Sequence, residues 1–198
     1  FTFNSTANQT LSGVISGAGA MTKLGSGTLT LSGNNTFSAG LDIKNGTVVL
    51  THANALGSGI ATLGLVAGNT QNLVFGVDGL TVSNDIQLQN SSGTKTIRLD
   101  LAGTTSGTIN GAIDIRRTQA GEAVFDVGTS DTLTLNGTIY TAAGGGAGVT
   151  KTGNGTLIFA KDNSYGGATT ISAGTLQIGA GGTTGTLNAT AAVTNNAD

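Results

Sequence analysis

An internal repeat constrains this chain more than any other feature. Residues 23–50 read KLGSGTLTLSGNNTFSAGLDIKNGTVVL and residues 151–178 read KTGNGTLIFAKDNSYGGATTISAGTLQI. A shift of 128 positions aligns all 28 columns without a gap. Lys23 meets Lys151, Gly27-Thr28-Leu29 meets Gly155-Thr156-Leu157, Asn35 meets Asn163, Phe37 meets Tyr165, and Gly46-Thr47 meets Gly174-Thr175. Self-similarity of this kind marks a stacked architecture in which each unit buries its apolar face against the next.

The unit is made of strands. Apolar residues fall at every second position in Thr28–Leu31, Leu41–Lys44 and Thr47–Leu50, so Leu29, Leu31, Leu41, Ile43, Val48 and Leu50 share one side. The second copy keeps that side apolar with Leu157, Phe159, Ile171, Leu176 and Ile178, while Asp42, Lys44 and Val49 become Thr170, Ser172 and Gln177. One face is buried and the other meets water. Thr169, in the Leu41 column, is the exception.

The middle of the chain keeps the alternation without the motif. Strands are expected at 61–65, 73–77, 80–82, 85–88, 96–101, 112–115, 123–127 and 132–135. Leu11-Ser12-Gly13-Val14-Ile15 has echoes at 109–113 and 135–139. Relative to the first copy, the second has a four-residue insertion within Ala142–Gly148, expected to bulge from one corner. No composition break divides the chain, so 1–198 is read as one segment with repeat copies at about 23–59 and 151–182.

Composition narrows the class. The 34 glycines, with no proline and no cysteine, suit many tight corners in an all-β chain. Charged residues make up 9% and the net charge is −2, which argues against both a solvated disordered tail and a nucleic-acid surface. No apolar run reaches the roughly 18 residues of a membrane helix. Two architectures fit short alternating strands. An antiparallel β-sandwich is supported by Asn45-Gly46, a strong hairpin signal. A parallel β-solenoid is favoured by the repeat length, by the absence of proline, and by Ala173-Gly174, which would make a poor hairpin turn at the matching place. The reading is an all-β, right-handed parallel β-helix (β-solenoid) of eight or nine coils, with the antiparallel β-sandwich as alternative.

Reactive constellations are sparse. His52 is the single histidine and has no cysteine or second histidine as a partner, so it reads as a solvated corner residue. No G-x-S-x-G elbow, phosphate loop or calcium loop occurs. Asp85, Asp100, Asp114 and Asp126 are the carboxylates to weigh, because glycosidases act with paired acids. Asp100, Asp114 and Asp126 are expected to point outward, spread along the rod without a cleft. No catalytic, cofactor-binding or metal residue is assigned, and no cofactor is expected. Asn35 and Asn163 are placed at corners, as rungs of an asparagine ladder if coils align, with Phe37 and Tyr165 covering the core beside them. Gly46 and Gly174 are expected in the same backbone state, at positive φ.

Gly25, Gly27, Thr28, Leu29, Leu31, Asn35, Phe37, Gly46, Thr47 and Leu50, followed by Ala53-Asn54-Ala55-Leu56-Gly57, resemble the autotransporter-associated β-strand repeat of Gram-negative passenger regions. The second copy matches at Gly153, Gly155, Thr156, Leu157, Asn163, Tyr165, Gly174, Thr175 and Leu176, and departs at Gly179–Gly182. The resemblance implies a surface-exposed, outer-membrane-anchored or released passenger segment. It would serve as a β-helical stalk within an adhesin or autoaggregation protein, with the outer-membrane β-barrel elsewhere in the parent. The implied partners are a host-cell surface, a glycan or a like passenger on another cell, with no nucleic acid and no membrane insertion of this segment. A β-helical polysaccharide-degrading enzyme and a secreted toxin passenger are the alternatives.

Overall fold

A computed structural model describes residues 1–89, 91–116, 123–142, 146–188 and 192–197. Among them lie 21 strands and no helix. The strands form three sheets, and every pairing is parallel. Sheet A stacks Thr2–Phe3, Met21–Lys23, Leu41–Ile43, Ala61–Leu63, Ile86–Leu88, Ile113–Ile115 and Ile139–Tyr140. Sheet B stacks Gln9–Leu11, Thr28–Leu31, Gly46–Leu50, Gln71–Phe75, Lys95–Leu99, Ala123–Val127, Val149–Thr152, Thr169–Ile171 and Val193–Asn195. Sheet C stacks Leu80–Val82, Ser106–Ile109, Thr132–Leu135, Thr156–Phe159 and Thr175–Ile178.

This is a β-solenoid of about eight turns. Nine rungs in sheet B at the usual inter-strand spacing give a rod ~40 Å long. The antiparallel alternative is excluded at the place that motivated it. Lys44 N donates back to Lys23 O, and Thr47 pairs with Thr28 below and Asn72 above, so Asn45-Gly46 turns a corner between sheets A and B.

The alternation decides what is buried. Leu29, Leu31, Leu41, Ile43, Val48, Leu50, Leu157 and Phe159 are all fully enclosed, in one core that runs the length of the rod. Ile178 departs from expectation and is 40% exposed. It lies on Thr175–Ile178, an edge strand of sheet C, so no further rung covers its inner face. Thr169, the polar exception in an inward column, is fully buried, and its hydroxyl lies 2.6 Å from the Tyr165 hydroxyl. The two copies have therefore changed together. Phe37 with Leu41 is an apolar pair, whereas Tyr165 with Thr169 is a hydrogen-bonded pair in the same place.

Coil length varies along the rod. Leu29 and its neighbour Val48 are 19 residues apart, whereas Ile97 and Phe125 are 28 apart. Narrow coils have two strands and a third side formed by the Asn-x-Phe arm, which hydrogen-bonds through Thr36 N to Ile15 O and Ser38 N to Gly17 O. Wide coils add a strand of sheet C. In passing through the wide coils the repeat shifts by one face. The first copy runs through sheets A and B, and the second through sheets B and C. The Ala142–Gly148 insertion falls between sheet A and sheet B, with 143–145 outside the described residues.

Gly46 and Gly174 have φ of +78° and +67°. A Cβ on Gly46 would stand 2.7 Å from the carbonyl oxygens of Gly25 and Gly27, and one on Gly174 2.5 Å from those of Gly153 and Gly155. Strain and clash act together, so Gly46→Val and Gly174→Val should each cost at least ~1 kcal/mol. Gly182→Val, where a Cβ meets nothing within 4 Å, is the control. Urea midpoints that fall equally in all three variants would refute the corner argument. The copy-to-copy exchange gives a second expectation. Tyr165→Phe and Thr169→Leu should each destabilise by ~1–2 kcal/mol, and the double variant should recover most of that loss. Additive losses in a double-mutant cycle would show that the pair is not coupled.

Candidate functional site

Exposed carboxylates are where chemistry would be sought on such a rod, and most of them are engaged in holding one coil to the next. Asp85 Oδ1 accepts Ala112 N at 2.8 Å, and Asp162 Oδ1 accepts Gly185 N at 2.9 Å and the Thr186 hydroxyl at 3.1 Å. Asp78 Oδ1 accepts Ser106 N at 2.8 Å, and this backbone bond holds its carboxyl below the usual range. Asp131, 1% exposed, accepts Thr105 N, the Thr105 hydroxyl and Leu101 N at 3.0, 2.7 and 3.2 Å. Each acid receives amide hydrogens that a corner would otherwise leave unpaired.

The remaining acids correct the expectation of three outward carboxylates spread along the rod. Asp100 and Asp126 converge on one guanidinium. Arg98 Nη2 pairs with Asp100, and Arg98 Nε lies 3.3 Å from Asp126 Oδ2. The parallel register puts Arg98 directly beside Asp126, which is why the two aspartates meet. Asp126 also accepts the Thr152 hydroxyl at 3.0 Å. Asp114 is not outward in any useful sense. It is 1% exposed, accepts Ala142 N at 3.1 Å, and is bridged by Arg116 Nε at 2.7 Å. Ala142, two residues beyond the strand Ile139–Tyr140, is thus tied to Asp114. Among the described residues no group of acids, histidines or cysteines has the arrangement of a metal site.

Three buried lysines are what the sequence reading missed. Lys23, Lys95 and Lys151 are each fully enclosed. Lys23 Nζ donates to Gly25 O and to Asn45 O at 3.2 Å, and stands 5.7 Å from the centroid of Phe3. Lys151 Nζ donates to Thr152 O and Gly153 O at 2.7 Å each and to Ala173 O at 3.4 Å. The ammonium fills the corner beneath Gly46 or Gly174 and satisfies carbonyls of two successive coils. Burial lowers the pKa of Lys23, and it lowers that of Lys151 to about 8 against an opposing pull from Asp126. The signal was in the sequence. Lys23 has the same strand parity as Met21, and Lys151 the same as Val149, so both had to point inward.

The corner asparagines differ from the expected ladder. Asn35 spans three coils, accepting Ile15 N at 2.8 Å and donating to Ala55 O at 2.8 Å. Asn163 accepts Ile139 N at 2.7 Å in the matching place. The ladders are made by other residues, Asn54 to Asn34 at 2.8 Å and Asn136 to Asn110 at 3.0 Å. Phe37 and Tyr165 are buried beside these corners as expected. His52 stands in a turn, where its Nδ1 accepts Asn54 N at 3.1 Å.

Comparison with known proteins agrees with this geometry. The passenger-associated-transport-repeat family matches residues 21–50 and 149–178, the two copies found in the sequence. Over 170 residues the chain is 32% identical to the adhesin BmaC autotransporter of Brucella suis biovar 1 (strain 1330). That alignment covers 85% of this chain, and the chain spans 4% of that protein's length. No solved structure matches the chain.

The lysine corner has a pH signature. The folded pKa of Lys151, about 8, lies below its ordinary value of 10.5, so between these limits the unfolded chain holds more protons. Stability from this group therefore rises as pH rises through that window. Lys23 acts in the same direction, while the raised pKa of the buried Tyr165 opposes it at the upper end. Between pH 7.5 and 9.5 the native protein should gain stability relative to Lys151→Met. Parallel melting-temperature curves for the two proteins across this range would contradict the assignment.

Proposed function

Two autotransporter passenger repeats mark this chain as part of an autotransporter passenger, and from that premise we propose that it is a surface-exposed stalk segment of an adhesin. The carrying observation is how the weighed acids are engaged among the described residues. Every acid that could serve catalysis among Asp85, Asp100, Asp114 and Asp126 is hydrogen-bonded to backbone or ion-paired with arginine. Side chains spent on joining coils suit a part whose work is mechanical and positional. The 32% identity to an adhesin autotransporter supports the same reading.

The geometry suits display as well as reach. Each coil adds one rung, and the inter-coil ladder continues through sheet B while the corner loops change in length. Residues 64–70 and 91–94 lie in connections from sheet A to sheet B. They stand on one edge of the rod, where a host-cell surface or a like passenger on another cell would meet them. The parent protein would carry the outer-membrane barrel, and this segment would stand outside it without entering the membrane.

Antibodies raised against the chain should label intact bacteria that express the parent protein. Bacteria whose parent protein lacks this segment should still be secretion-competent and should adhere or aggregate less. Labelling only after outer-membrane permeabilisation would refute the surface placement. Release of reducing sugar from polysaccharide by the purified chain, abolished in Asp126→Asn, would replace the stalk reading with a catalytic one.

A further inference from the structure

The rod has a step where narrow coils give way to wide ones. In the last narrow coil the third side is a tight turn, closed by Ala55 N to His52 O and Gly57 N to Asn54 O at 3.0 Å each. One coil later Leu80–Val82 begins sheet C as its edge strand, with no strand of that sheet beneath it. The mismatch leaves a cavity of about 220 Å³ lined by Asn54, Gly57, Ser58, Ser83 and Asn84. Its floor is fixed. Asn84 Nδ2 donates to Gly57 O at 3.0 Å and Gly59 O at 2.8 Å, and Gly57 lies over the buried Phe37 ring.

The same bonds leave a defined set of groups free. Asn84 spends its amide hydrogens on the floor, and Asn54 donates to Asn34. The carbonyl oxygens of both side chains, and the hydroxyls of Ser58 and Ser83, have no hydrogen bond from the described residues. No charged side chain lines the cavity. We propose that this step is a binding site for one neutral sugar ring, the terminal hexose or N-acetylhexosamine of a glycan. Amide oxygens accept the hydroxyl hydrogens of a sugar, and serine hydroxyls both accept and donate. Without lysine or arginine the site has nothing to offer a carboxylate or phosphate. The depression is open to solvent, and its volume, below the roughly 300–1,000 Å³ of sites for drug-sized ligands, suits about one ring. The inference deepens the adhesin reading and rests on it for its biological sense.

The test is ligand-observed and protein-observed NMR on the full 198-residue chain. The probes are methyl β-galactoside, methyl α-mannoside and N-acetylglucosamine, with N-acetylneuraminic acid as the charged arm. At least one neutral sugar should shift resonances of residues 54–58 and 83–84. Ser58→Leu, which fills the cavity without removing a hydrogen bond of the floor, should weaken that binding at least tenfold while leaving the circular dichroism unchanged. If Ser58→Leu does not fold, Ser83→Leu, at the other serine of the lining, does the same work. Binding of none of the neutral sugars, binding of N-acetylneuraminic acid alone, or unchanged affinity in the filled variant would each overturn the site. Those failures leave the passenger reading standing if antibodies still label intact cells; loss of that labelling counts against the passenger reading itself.

Discussion

Everything in this molecule depends on pairing the backbone at corners. Along the sheets each coil supplies hydrogen bonds to the coils on either side, and nothing more is needed. At a corner the chain changes direction, its amides and carbonyls rotate out of the ladder, and some of them are shut away from water. An unpaired buried backbone group costs about as much as a hydrogen bond is worth, roughly 1–3 kcal/mol. Repeated at each corner of about eight turns, such losses would exceed the ordinary stability of a domain, roughly 5–15 kcal/mol. The composition of the chain follows from that threat.

Two kinds of charged plug answer it, with opposite polarity. Lys23 and Lys151 bring donors to stranded carbonyls, and Asp131 brings acceptors to stranded amides. Asn35 and Asn163 do the same without charge. Burying an ammonium is unfavourable in general, and burial lowers the pKa of Lys151 despite the opposing pull of Asp126. Three carbonyl dipoles offset that cost by serving as ligands. Charged residues make up only 9% of the chain, and a large share of them work inside the rod or between coils.

The fold was legible because its two periods are written in different alphabets. Alternation gave the strands, since Leu29, Leu31, Val48 and Leu50 could only be buried together. The 128-residue self-match gave the stacking. What was hidden is three-dimensional. Nothing in the sequence places Arg98 beside Asp126, because their separation of 28 positions becomes one coil only if the wide coil has that length. Asp114 alternates as an outward residue should, yet it is buried, bonded by Ala142 N from the next coil and bridged by Arg116. Lys23 was legible and passed over. Its parity with Met21 points it inward, where it is fully buried.

The shift of the repeat by one face has a consequence for how function attaches to such a rod. The first copy turns the A–B corner and the second the B–C corner, yet both use the same lysine, glycines and asparagine. The motif therefore specifies a corner and its two flanking strands, independent of which side of the rod they form. Wide coils between motif copies reset the phase, and the change from narrow to wide leaves a ledge at Asn54 and Asn84. A regular solenoid presents flat faces with little to distinguish one rung from the next. Recognition needs relief, and here relief arises where the repeat is interrupted: at long corner loops and at the step between coil widths. The motif supplies the rod, and departures from it supply the surface that a partner can read.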